Sequence, residues 1–183
     1  AIYRGGGIKD GLPQLATTAL AVNDFPTEAD KKDGEVTAVF GRMQKENKII
    51  YMAPGASGDY NRDGKLDLFL ANWWVDSRSL LLKNETQGGH WLDVAVEGSK
   101  GVNRQGIGAV VRIYPAGKLG DAASLLGQKE IATGYGYASG QEAVAHFGLG
   151  ELKNCDIKVI LPHGKGKIEK KDVAGDQRIV MTQ

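Results

Sequence analysis

From residue 91 to the C-terminus the chain is a succession of short apolar segments broken by Gly, Asn and Asp, and none carries a long helical period. Residues 91–97 alternate with period two: Trp91, Asp93, Ala95 and Glu97 on one side, Leu92, Val94 and Val96 on the other. Successive strand residues face opposite sides of a sheet, so this pattern predicts a strand with one face in a core. Residues 109–114, stopped by Pro115, predict a second. Further strands are expected over 128–133, 142–147, 156–161, 167–173 and 178–182. Glycine is 26 of 183 residues, about twice ordinary usage, which supplies the turns. The predicted class is all-β, an antiparallel β-sandwich or jelly roll.

The preceding half reads less uniformly. Residues 1–4 look like a strand end followed by a Gly5-Gly6-Gly7 turn, and 15–22 fit either a short helix or a buried strand. Strands are expected at 48–53, 68–74 and 79–84. Gln87-Gly88-Gly89 is the best boundary, which predicts an N-terminal region over 1–89 and a sandwich over 90–183. Formal net charge is +1, which gives no electrostatic case for nucleic acid or acidic membranes. The apolar runs are too short to span a bilayer as a helix. The opening at Ala1 leads us to expect a processed product or part of something longer. Cys155 is the only cysteine, so no internal disulfide can form.

Residues 58–70 read Gly-Asp-Tyr-Asn-Arg-Asp-Gly-Lys-Leu-Asp-Leu-Phe-Leu. Asp59, Asn61, Asp63 and Asp67 offer oxygens at near-regular spacing, Gly64 supplies a sharp turn, and Lys65 would add its backbone carbonyl. Hard oxygen donors of this kind suit Ca2+. An EF-hand is excluded, because Leu70 stands where the twelfth-position Glu belongs and the flanks are strand-like. The competing reading is a metal-free Asp/Asn/Gly turn. Against it, closely spaced acceptors repel without a cation. The ion is expected to be structural. A calcium site can do the stapling that disulfides do elsewhere, and weak single-loop sites are useful mainly outside cells, so an extracellular or surface setting is expected.

Residues 58–72 resemble the calcium-binding core of the FG-GAP or VCBS repeat. From about Trp91 the chain resembles the ASPIC/UnbV domain. The matching pieces are 102–111, 134–140, His146-Phe147-Gly148-Leu149-Gly150, and Val159-Ile160-Leu161-Pro162-His163-Gly164. The order is similar to the C-terminal arrangement of exported bacterial repeat proteins, and it implies an exported, calcium-binding, non-catalytic module. Two departures stand out. Leu161 takes the place of the family's Trp, and residues 1–90 hold one convincing repeat where a propeller needs several. A lone blade leaves unpaired edges, so the calcium-binding hairpin region is expected to pack on the sandwich.

Exposed Trp and Tyr rings make flat platforms for sugars, and Trp73, Trp74, Tyr135 and Tyr137 are the candidate ligand-binding residues, with Trp91 a possible addition. The competing reading is that Trp73 or Trp74 simply fills the sandwich core, which burial tendencies favour for any single Trp. His90, His146 and His163 lack helical ligand spacing, which argues against zinc. No nucleophile-elbow frame surrounds Ser139. The sequence therefore predicts no enzyme but an extracellular calcium-binding recognition module. Its expected partner is a polysaccharide or cell-surface glycan, with neither nucleic acid nor membrane insertion. The alternative is a protein–protein adhesion or scaffolding module that binds an extracellular protein. A third reading, an enzyme acting on polysaccharide, would need a carboxylate pair that the sequence does not single out.

Overall fold

The computed structural model describes residues 2–9, 12–18, 32, 55–71, 79–136 and 139–183. The chain divides into two compact units, Ala1–Tyr51 with Asn72–Arg78, and Met52–Ala71 with Ser79–Gln183. In the first, β1 (Ile2–Lys9) pairs antiparallel with β2 (Leu12–Thr18). The Gly5-Gly6-Gly7 turn expected from sequence is not a turn. It lies inside β1, where the register shifts between Gly5 and Ile8. Glycine accommodates such irregularities because it carries no Cβ to constrain the backbone. The ambiguous 15–22 segment is strand as far as Thr18. The strand expected at 48–53 lies outside the described residues, as does the end of the one expected at 68–74.

The second unit opens with a three-stranded antiparallel sheet of β3 (Ala56–Gly58), β4 (Asp67–Leu70) and β5 (Leu80–Leu82), with β4 central. Seven strands follow: β6 (His90–Glu97), β7 (Val110–Pro115), β8 (Gly127–Glu130), β9 (Val144–Gly150), β10 (Asn154–Ile160), β11 (Lys167–Ala174) and β12 (Gln177–Thr182). They form two sheets, ordered β11-β10-β7-β8 and β12-β6-β9. Alternate residues of both sheets meet in one core. Leu92, Val94 and Val96 of β6 join Ala145, Phe147 and Leu149 of β9, and they pack with Val111, Ile113, Cys155, Ile157 and Val159 of β7 and β10. Burying one such aliphatic side chain contributes about 1.5–3 kcal/mol, so the period-two pattern is the main energetic term specifying this sandwich.

One pairing departs from a wholly antiparallel sandwich: β12 runs parallel to β6. The turn after β11 carries the chain from one sheet to the other, so β12 is not the hairpin partner of β11. That turn is clasped by backbone bonds, with Asp176 N donating to Trp91 O at 2.6 Å and Gly175 N to Lys153 O at 2.7 Å.

Asp156 is fully buried on β10. Its carboxylate accepts the amides of Gly117, Leu119 and Asp172 at 2.8–3.2 Å, which ties the turn after β7 and a residue of β11 to β10. A buried carboxylate must find such donors or destabilise the fold. Beside it, burial and then the Asp156 charge push the Cys155 thiol up to about 11, so it stays a protonated core residue.

Leu92→Ala is expected to cost about 3 kcal/mol, by lost transfer energy plus the cavity left behind. Val180→Ala, on the exposed face of β12, is expected to cost under about 0.5 kcal/mol. Urea unfolding of both variants checks this, and equal costs would contradict the assignment of faces.

Candidate functional site

The turn between β3 and β4 holds Asp59, Asn61, Asp63, Lys65 and Asp67. Backbone amides organise it. Asp59 accepts from Asp63 N at 3.0 Å and from Gly64 N at 2.7 Å, one on each carboxylate oxygen. Asp63 accepts Lys65 N at 3.0 Å and the Asn61 side-chain amide at 2.9 Å. Asp67, only 3% exposed, accepts Tyr60 N at 3.2 Å and Asn84 N at 2.8 Å. Each of the six carboxylate oxygens thus takes one N–H and keeps one acceptor site. By chemistry this all-oxygen set fits a hard cation. Among the described residues, no three acidic, histidine or cysteine side chains converge into a ready-made cage. Asn84 also closes the loop by donating its side-chain amide to Leu66 O at 3.2 Å.

Gly64 is required twice over. Its φ is +84°, in the region that L side chains rarely adopt. A Cβ built there would fall inside the Trp91 indole. The loop is therefore seated against the start of β6.

Beside this contact lies a cleft of about 510 Å³. Asp59 and Leu66 of the loop form one wall, and Asp93, Glu130, Tyr135 and His146 line the rest. Asp93 and His146 are directly opposite in the β6–β9 register. His146 Nδ1 lies 2.8 Å from Asp93 Oδ1. An ionised carboxylate only accepts, so Nδ1 donates and Nε2 is the nitrogen left over. The imidazole also stacks on Trp91, with ring centroids 6.3 Å apart and planes 16° from parallel. Ser57 lines the same cleft, but its Oγ accepts from Gln141 Nε2 at 2.5 Å. Among the described residues no hydroxyl or thiol is hydrogen-bonded to His146.

Tyr135 is 45% exposed at the cleft wall. Its loop is closed by the Gly134–Gly140 bridge, by Gln141 N donating to Thr133 O at 2.8 Å, and by the Ser139 hydroxyl donating to Tyr135 O. Trp73, Trp74 and Tyr137 lie outside the described residues. Trp91 is committed to packing against Gly64 and His146 rather than standing free. Sequence reading missed the Asp93–His146 pair. Period two does put both residues on outward faces, but only the strand register brings them opposite each other.

The fold and site define a β-sandwich with a seated acidic loop and a cleft beside it. The model of the ASPIC and UnbV family matches residues 98–183, from just after β6 to the C-terminus, so an ASPIC/UnbV domain is present there. The acidic loop lies outside that match. No curated protein matches the chain.

Two outcomes are expected. Gly64→Ala should lower stability by about 1–3 kcal/mol in urea unfolding, from the strained φ and the displaced indole. An unchanged midpoint would contradict the seating of the loop. The second concerns acid. The Asn61 amide, then the Lys65 amide and nearby ammonium groups, hold the Asp63 carboxyl below its ordinary range, and His90 does the same for Asp176. A depressed carboxyl contributes its stability above the ordinary range and loses it as pH falls through the lowered folded value. Melting temperature should therefore decline below about pH 4, and Asp63→Asn should show a shallower decline.

Proposed function

We propose that this chain is an extracellular, non-catalytic recognition module that binds polysaccharide or cell-surface glycan in the cleft beside the acidic loop. The observation that carries this reading is the exposed ring of Tyr135 at the wall of a cleft that Asp93, Glu130 and His146 also line. An aromatic face beside hydrogen-bonding groups suits a sugar ring, apolar on its C–H face and polar at its rim. The Asp93–His146 pair has no nucleophile in hydrogen-bonding reach among the described residues, which favours binding over acyl transfer. The ASPIC/UnbV match at 98–183 is compatible with such a module.

Calcium belongs to the same proposal. Asp59, Asn61, Asp63 and Asp67, with the Lys65 carbonyl, would hold it, and the ion would offset two of the three adjacent carboxylate charges and staple the loop against Trp91. The resemblance of 58–72 to the FG-GAP/VCBS repeat supports this assignment.

A second reading, protein–protein adhesion, is favoured by one observation. Phe69 and Leu81 lie directly opposite each other on β4 and β5 and are 45% and 53% exposed. An exposed apolar cross-strand pair suits a protein surface better than a glycan.

Thermal melting with calcium and with a chelator, each against a panel of soluble polysaccharides, tests the proposal. A ligand bound only by the native state adds about 2.7 kcal/mol at a hundredfold excess over Kd. Calcium should raise the melting temperature, and one polysaccharide should raise it further. Tyr135→Ala should weaken that second effect about tenfold in affinity. A calcium shift with no polysaccharide effect would favour adhesion, and no calcium shift would remove the metal from the account.

A further inference from the structure

Neither the aromatic platform nor the acidic loop accounts for the part-buried, hydrogen-bonded Asp93–His146 pair at the cleft wall. Asp93 is 8% exposed, and its partner His146 is held on two sides, by the Asp93 carboxylate at Nδ1 and by the Trp91 indole on its face. Trp91 is in turn backed by Gly64. A side chain so constrained loses little further freedom on meeting a ligand, which is the physical meaning of a preorganised contact. Its remaining nitrogen, Nε2, is an acceptor in the neutral ring. The surroundings are of the same kind. Asp59, Asp93, Glu130 and Glu142 line the cleft against Lys129, and Arg178 offsets Glu142 at 2.6 Å. With the Asp59 charge taken up by the proposed calcium, Asp93, Glu130 and Glu142 against Lys129 and Arg178 leave a net charge of −1 with the imidazole neutral.

We propose that His146, positioned by Asp93 and Trp91, is the ligand-contacting anchor of the cleft, and that the cleft takes neutral or amino-bearing sugars and rejects acidic ones. The proposal rests on the carbohydrate reading and names the ligand class of that same site. Carboxylate and imidazole acceptors suit a ligand that offers O–H or N–H groups, and a uronate would bring its own negative charge into a cleft that is already net negative.

The test uses the full chain with calcium present, at slightly alkaline pH, titrated separately with cellotetraose, a glucosamine tetramer and tetragalacturonate. Calorimetry gives affinity, and NMR follows the His146 imidazole resonances. The expected result is that cellotetraose or the glucosamine tetramer binds at least about tenfold more tightly than tetragalacturonate and moves the His146 signals. His146→Gln should weaken binding about tenfold or more with little change in melting temperature. Tetragalacturonate binding as tightly as the others would overturn the inference, as would binding that leaves His146 unmoved. If Tyr135→Ala weakens binding while His146→Gln does not, the inference falls and the carbohydrate reading stands. If no oligosaccharide binds, the carbohydrate reading itself falls. Should His146→Gln fold poorly, the wild-type imidazole shifts decide the question alone.

Discussion

β6 lies between β9 and β12, and its two faces serve two purposes at once. Leu92, Val94 and Val96 are core residues, while Trp91 and Asp93, on the opposite face, bear on the acidic loop and the cleft. A slip of one residue in the β6–β9 register would exchange these faces. It would put Asp93 among aliphatic side chains and expose Leu92 to water. The hydrophobic pattern that makes the sandwich therefore also sets the Asp93–His146 pair opposite each other. Core stability and cleft geometry are two consequences of one register.

The loop between β3 and β4 shows how acidic residues can organise a turn. Asp59 clamps the amides four and five residues ahead, and Asp67, nearly buried, joins Tyr60 to Asn84 across a separation of many residues. Backbone N–H groups offset part of the repulsion between neighbouring carboxylates, which is why the loop is curled before any cation is invoked. The remaining acceptor sites are what the calcium proposal uses. Because Asp59 and Leu66 also line the cleft, whatever firms the loop firms one wall of the proposed binding site.

Much of the fold was legible in the sequence. The strands expected over 109–114, 142–147, 156–161, 167–173 and 178–182 each correspond to an observed strand, with ends that differ by at most three residues. Alternation is a local signal, so it survives without tertiary information. Gly5–Gly7 misled, because glycine is as much at home in a bulge as in a turn. The parallel placing of β12 was not readable, since it depends on which sheet receives the chain after Gly175 and not on the composition of β12. In the site, the acidic loop announced itself by spacing. His146 did not, because a lone histidine in an alternating strand acquires meaning only from its cross-strand neighbour and from the indole stacked on it.

On the proposed reading, the acidic loop and the outer face of β6 and β9 form a single recognition site. Its most direct test is a crystal structure of the chain grown with calcium and soaked with cellotetraose. A cation held by Asp59, Asn61, Asp63, Lys65 and Asp67, and a sugar in the cleft in contact with Tyr135 and His146, are the expected result. A sugar bound elsewhere, or a protein neighbour covering Phe69 and Leu81 while cellotetraose stays out of the cleft, would contradict it.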